Sequence, residues 1–131
     1  MKQIIVALLA LVVVAPAFGK DTWYPVFGPD GNHLIVICKA ALRVMDANDG
    51  TGTGTGTKQD AYDDGYCQGL VSGVASSINS EDGADLTAPN PSISQLIRVV
   101  QKYMDDHPEE LSRPAVWLIR VSLIKAFPKK S

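Results

Sequence analysis

Apolar residues recur at intervals of three and four positions in four segments of this chain, and that spacing places them on one face of an α-helix. The first segment begins at Asn32, a residue type that caps helix N-termini well, and ends at Asn48-Asp49-Gly50. The residues of its apolar face are Leu34, Ile37, Cys38, Ala41, Leu42 and Met45. Because no stretch shows the sustained apolar–polar alternation of strands, the sequence predicts an all-α protein, a small single-domain bundle of four to five helices.

The second predicted helix runs from about Asp60 to Ser80 and carries two stripes of different character. One stripe is apolar and contains Tyr62, Tyr66, Leu70, Val74 and Ile78. The other contains Gly65, Gly69 and Gly73, spaced four residues apart. Each glycine inside a helix costs about 0.5–1 kcal/mol relative to alanine. We therefore expect these glycines to be helix-packing residues that let another backbone approach closely.

The third predicted helix begins at Ser92, which forms a capping box with Gln95, and stops at His107-Pro108. Its apolar residues are Ile93, Leu96, Ile97, Val100, Tyr103 and Met104. The connector "PEELSRP" is short enough to hold about one helical turn.

The fourth predicted helix, from about Ser112 to Phe127, is apolar on more than one side. One stripe comprises Ala115, Leu118, Ile119, Ser122, Leu123 and Ala126, and a second comprises Trp117, Val121 and Ile124. Such a helix is either central to its domain or half-buried in a second interface. We favour the central position, and the second stripe is the candidate face for a homodimer.

The N-terminus has the features of an export signal. A positive start, an apolar run from Ile4 to Val14 and a small-residue exit predict a signal peptide over residues 1–19, with cleavage after Gly19 preferred to cleavage after Ala17. An uncleaved membrane anchor is the less favoured alternative, and residues 20–131 would form the domain. Trp23, Tyr24 and Phe27 follow the signal, and we expect them to pack onto the body rather than to form a binding patch.

Two cysteines, Cys38 and Cys67, lie in the part of the chain predicted to be exported. An even number of cysteines in an oxidising compartment predicts one disulfide. The formal net charge of −2, with no cluster of basic residues, argues against nucleic-acid binding. The two cysteines and the histidines His33 and His107 do not match a metal-ligand spacing, so we expect no metal and no cofactor.

The sequence also offers no set of residues for catalysis. Cys67 is the one candidate nucleophile, and a disulfide would remove its free thiol. Both histidines fall at helix ends, where capping is the commoner role. The glycine–threonine tract over residues 50–57 precedes Lys58 as in a phosphate-binding loop, but Gln59 stands where that motif needs serine or threonine. We therefore interpret the tract as a loop and the protein as a binding protein, not an enzyme.

Four segments together resemble one family, the Rap/Tai immunity proteins, which protect bacteria against type VI secretion effectors. In chain order they are "DGNHLIVICKAAL" (30–42), "DDGYCQGLVSGVASSI" (63–78), "SISQLIRVVQKYMDDHPEEL" (92–111) and "PAVWLIRVSLIKAFP" (114–128). The resemblance implies a periplasmic homodimer that binds a peptidoglycan amidase effector and blocks its cleft sterically.

The same resemblance supports the cysteine pairing. Proteins of this family often have two further cysteines, one before the third helix and one after the final Phe-Pro, and both are missing here. Their joint absence fits a Cys38–Cys67 bond between the first two helices. The first helix is then the candidate neighbour of the glycine stripe, with the fourth helix as the alternative.

The candidate partner-binding residues are the acids of the loop after the second helix, Glu81, Asp82 and Asp85, together with the nearby Asn79. Acidic groups there would speed association with a basic cleft, although a solvated connector explains them equally well. Two other functions stay open, a periplasmic acid-stress chaperone and a cell-envelope accessory protein.

Overall fold

Four α-helices follow one another in the computed structural model, which describes residues 28–47, 56–87 and 90–130. They are α1 (Gly31–Ala47), α2 (Lys58–Ser77), α3 (Ile93–Asp106) and α4 (Ala115–Ala126), with short 3-10 turns at Ser80–Asp82 and Pro108–Glu110. The described ranges contain no β-strand, only two isolated bridges. The all-α prediction is confirmed, and the turn at 108–110 is the one expected in the connector.

Several sequence-based expectations lie outside the described residues. These are the signal peptide over 1–19, the packing of Trp23, Tyr24 and Phe27, and most of the glycine–threonine tract.

Helix α1 begins two residues earlier than predicted, because its cap is Asp30 rather than Asn32. The Asp30 carboxylate accepts a hydrogen bond from the backbone N–H of His33 at 3.0 Å, which satisfies one of the free donors of the first turn. Asn32 instead lies inside the helix, and its side-chain amide donates to the carbonyl of Leu111 at 3.2 Å. The apolar face is confirmed: Leu34, Ile37, Cys38 and Ala41 are buried, and Leu42 and Met45 pack partly buried against them.

Helix α2 is capped by Thr57, whose hydroxyl accepts from the Asp60 backbone N–H while the Asp60 carboxylate accepts from that of Thr57. Its buried residues are Cys67, Val71 and Val74. The predicted apolar stripe is therefore wrong at its N-terminal end, because Tyr62 is 66% exposed and Tyr66 is 38% exposed. Leu70, Val74 and Ile78, farther along, do contact the core.

The glycine stripe of α2 was also predicted wrongly. Gly65, Gly69 and Gly73 are exposed, and a Cβ built at any of them would meet nothing within 4 Å. The reason is rotational: each helical residue turns by about 100°, so Gly65 and Gly69, two positions from Cys67, lie on nearly the opposite side of the helix. Once Cys67 faces α1, the glycines face away from the core.

The disulfide joins α1 to α2 as predicted. Cys38 and Cys67 are bonded, with their Cα atoms 5.2 Å apart, and both residues are fully buried. Helices α1 and α2 form the most extensive helix pair of the fold, and each of the six helix pairs is in contact. The bridge therefore lies inside the core that all four helices share.

The last two helices largely follow the prediction. Ser92 caps α3 through the backbone N–H of Gln95, the first half of the predicted capping box. Helix α4 starts at Ala115, with Pro114 immediately before it. Its first stripe is buried except for Ala126. Because each of the four helices contacts the other three, these contacts do not single out α4, and its central position stays a prediction.

Candidate functional site

The connector between α3 and α4 is fixed by a cluster of polar and aromatic side chains. The Tyr103 hydroxyl donates to the Glu110 carboxylate at 2.7 Å, and the His107 ring stacks on Tyr103 with centroids 4.1 Å apart. Lys125 of α4 lies 4.8 Å from the centre of the same ring. Burial, followed by the hydrogen bond to Glu110, raises the pKa of Tyr103 above its ordinary value. Tyr103, His107 and Glu110 all belong to the segment 92–111, one of the four that carry the family resemblance, and their contacts are structural.

A second set of hydrogen bonds fastens the start of α1 onto that connector. The backbone N–H of Gly31 donates to the Arg113 carbonyl at 3.0 Å, and the N–H of Asn32 donates to the Leu111 carbonyl at 3.1 Å. In return, the N–H of Ala115 donates to the Pro29 carbonyl at 2.9 Å. We call this contact between residues 29–32 and 111–115 the α1 junction. It explains why a Gly-Asn pair and a Glu-x-Leu segment occur together in this sequence.

The acidic segment predicted to bind a partner is tied closely to the protein's own body. The Asn79 side chain accepts from the Glu81 N–H, and the Asp82 carboxylate accepts from the Asn79 N–H, both at 2.9 Å. Asp82 also pairs with Arg120 of α4. The Asn79 hydrogen bond, together with Arg120, holds the pKa of Asp82 below its ordinary value.

The rest of this segment is anchored in the same way. The Asp85 carboxylate accepts from the backbone and the hydroxyl of Thr87 at 2.9 and 2.6 Å, and the Asp85 N–H donates to the Phe127 carbonyl at 3.0 Å. The side chains of Asn79, Asp82 and Asp85 therefore make hydrogen bonds within the chain, although Asn79, like Glu81, is exposed to solvent. Contact of this segment with a partner stays a prediction.

The second stripe of α4 is half-buried within this chain. Trp117 and Val121 pack against the core, and the Arg113 guanidinium lies 4.9 Å from the centre of the Trp117 ring. Ile124 is also partly exposed. The homodimer face predicted there stays a prediction.

A cleft of about 920 Å³ opens between the start of α1, the first turns of α2 and the start of α4. We call it the tyrosine cleft. The residues that give it its chemical character are Asp30, His33, Gln59, Tyr62, Asp63 and Tyr66. Three of them form a row of rings: the His33 and Tyr66 centroids are 6.3 Å apart, and those of Tyr66 and Tyr62 are 6.2 Å apart. Both separations lie within the range of favourable aromatic contacts.

The tyrosine cleft is acidic. Asp30 and Asp63 line it, and among its described lining residues none is lysine or arginine. The hydrogen bond from the His33 backbone lowers the pKa of Asp30; partial burial opposes this shift and the Asn32 side chain adds to it. Asp63 accepts a hydrogen bond from the Gln59 amide at 2.7 Å. The cleft thus combines two carboxylates with exposed aromatic surface.

The apolar spacing of α2 conceals this cleft, because it predicts Tyr62 and Tyr66 on the core face of the helix. A signal was present nonetheless: both tyrosines lie beside Asp63 and Asp64 in a helix turn that contains Gly65. Aspartates are rarely fully buried unless they are paired, so these two acids favour an exposed turn.

Two further findings concern the described residues alone. They contain no group of three or more His, Cys, Asp or Glu side chains placed to hold a metal ion. Within them no helix combines the length and the apolar character needed to cross a bilayer.

The chain folds as a small, disulfide-linked helical protein. The hydrogen bonds of the connector and of the α1 junction hold its helices together. Residues 30–128 match the sequence profile of the Rap1a immunity proteins, and the chain belongs to that family. The resemblance recognised in the sequence is confirmed. An immunity protein acts by binding a cognate effector, without turning over a substrate. No curated protein and no solved structure matches the chain closely enough to add to this identification.

Proposed function

We propose that this protein is a periplasmic inhibitor of a peptidoglycan-hydrolysing amidase delivered by a type VI secretion system. The observation that carries the proposal is membership of the immunity family over residues 30–128. The buried Cys38–Cys67 disulfide supports an oxidising compartment, and the apolar N-terminal run supports export by a signal peptide over 1–19.

Inhibition would be steric. The four helices share one core and contain one internal disulfide, so the bundle presents a stiff surface. Little conformational entropy is lost when such a surface binds. The protein would cover the hydrolase cleft and exclude the cell-wall substrate. A homodimer through Trp117, Val121 and Ile124 would present two such surfaces.

The direct test uses a purified type VI amidase effector as the candidate cognate target. We expect the mature protein, residues 20–131, to abolish its hydrolysis of isolated peptidoglycan at a one-to-one ratio and to leave an unrelated amidase fully active. Equal activity of the cognate amidase with and without the protein would contradict the proposal.

The cellular test measures lysis of cells that export the amidase to the periplasm. The full chain should protect these cells, whereas the chain without residues 1–19 should not. Protection by the leaderless chain would contradict periplasmic action. Suppression of aggregation of unrelated proteins at about pH 2–3, without amidase inhibition, would instead favour an acid-stress chaperone.

A further inference from the structure

The tyrosine cleft combines features that a protein surface seldom exposes without a partner. Tyr62 and Tyr66 present stacked rings to solvent, 66% and 38% exposed, next to the ring of His33. Tyrosine is enriched where protein surfaces meet, because it supplies a large rigid contact area together with a polar hydroxyl.

The charge of the tyrosine cleft indicates which kind of chemical group would bind in it. Asp30 and Asp63 both face this cleft, and among its described lining residues there is no lysine or arginine; His33 is the one of them that can carry a positive charge. The nearby Arg113 guanidinium lies over the Trp117 ring instead. A cation entering the cleft would gain from both carboxylates and from the tyrosine faces.

A guanidinium group fits these surroundings better than an ammonium group. It is planar, stacks on aromatic rings and donates two parallel hydrogen bonds to a carboxylate. We propose that the tyrosine cleft receives an arginine side chain of the effector, with Tyr62 and Tyr66 stacking on its guanidinium and Asp63 pairing with it. The proposal rests on the function proposed above and specifies the surface that performs it.

Two neighbouring carboxylates of α2 provide a matched comparison. Asp63 and Asp64 each accept a hydrogen bond of 2.7 Å from a glutamine four residues away, Gln59 and Gln68 respectively. Both are half-buried, but only Asp63 lines the cleft. Asp63→Asn and Asp64→Asn therefore remove the same charge from the same helix and differ in whether that charge faces the cleft.

The first experiment measures affinity by calorimetry between the mature protein and an inactive form of the cognate amidase effector. We expect Asp63→Asn to weaken binding roughly three- to tenfold and Tyr66→Leu to weaken it about tenfold or more. Asp64→Asn should bind within about twofold of the wild type, since a charge outside the contact contributes little. Added salt should weaken the Asp63→Asn complex less than the wild-type complex. Wild-type affinity for both cleft variants would overturn the proposal, provided that their melting temperatures match that of the wild type.

The second experiment does not depend on the effector. In an NMR titration, acetyl-arginine amide should shift the signals of Tyr62, Tyr66 and Asp63, and the neutral isostere acetyl-citrulline amide should not. Equal shifts with the two probes, or none with either, would overturn the arginine assignment.

The two experiments separate the possible failures. If wild-type protein does not bind the amidase, the proposed function fails, and the arginine probe still decides the chemistry of the cleft. Nuclear Overhauser contacts from Trp23 to Tyr66 would show that the chain's own N-terminal residues fill the cleft, which would overturn the proposal. Contacts between Tyr66 residues of two copies would overturn it in favour of a dimer.

Discussion

Gly31 and the glycines of α2 occupy opposite environments. Gly31 is buried at the α1 junction, where an added Cβ would lie 2.8 Å from the Leu111 carbonyl oxygen and 2.9 Å from the Leu111 Cα, and would also collide with the Leu118 side chain. At Gly65, Gly69 and Gly73 an added Cβ would meet nothing within 4 Å. The glycines that look patterned in the sequence are thus unconstrained by the fold, whereas the isolated one is required by it.

The contrast extends to the regions around them. At the α1 junction, three backbone hydrogen bonds and the Asp30 cap fix the relative positions of α1, the connector and α4. On the glycine side of α2, the exposed residues contact little of the chain, and the disulfide on the other side of the helix holds α2 in place. Stability should therefore be sensitive to the junction and the disulfide, and insensitive to the outer face of α2.

The largest effect should come from removing the disulfide, which fixes the rotation of α2. Replacing both cysteines, Cys38→Ala with Cys67→Ala, should lower the free energy of unfolding by roughly 3–4 kcal/mol, because the bond closes a loop of about 30 residues in the unfolded chain. Urea unfolding of oxidised wild type, reduced wild type and the double variant measures this. An unchanged midpoint in the double variant would show that packing alone orients α2.

Gly31→Ala should have the next largest effect. Two of the atoms that the new methyl group would meet belong to the Leu111 backbone, which is held by the junction hydrogen bonds and cannot move cheaply. We expect a loss of about 1–3 kcal/mol, typical of overpacking, measured by thermal and urea unfolding. A stability equal to that of the wild type would mean that the junction is looser than its contacts indicate.

Asp30→Ala should cost about 1 kcal/mol by removing the α1 cap, whereas Asp30→Asn keeps a capping side chain and serves as the control. The pKa of Asp30 is lowered in the folded protein, so the unfolded state binds more protons near the ordinary aspartate pKa of about 3.9. The advantage of wild type over Asp30→Ala should therefore be full above that pH and shrink as the pH falls through the folded pKa. Urea unfolding at pH 7 and pH 3 tests the sign, and a difference that grows on acidification would contradict it.

Gly69→Ala should have the smallest effect, with the opposite sign. Alanine lowers the entropy cost of forming the helix, and the site has room for a methyl group, so we expect stabilisation of about 0.5–1 kcal/mol. Gly65→Ala and Gly73→Ala should behave similarly. If Gly69→Ala destabilises the isolated protein, a close neighbour must lie at this face and the comparison with Gly31 fails.

The residues of the connector and of the α1 junction explain how this family can be recognised in a sequence that does not reveal what the protein binds. Tyr103, His107 and Glu110 fix the connector, and Gly31 with Asn32 fastens α1 to it. These contacts require particular side chains in particular places, so they produce a sequence pattern. A docking surface, such as the one we propose at the tyrosine cleft, has to match its particular target instead.

The sequence by itself determined the four helices, the apolar faces of α1 and α3, the buried stripe of α4, the single disulfide and the family. Each follows from local information: apolar spacing, capping residues, an even number of cysteines, or a run of matching residues. The rotation of α2, the role of Gly31 and the tyrosine cleft were decided only by tertiary structure. Helix α2 carries tyrosines, glycines and small apolar residues on all sides, so its own pattern does not choose the inward face. That choice depends on Cys67 meeting Cys38, which is a contact between residues 29 positions apart, and it turns Tyr62 and Tyr66 toward solvent.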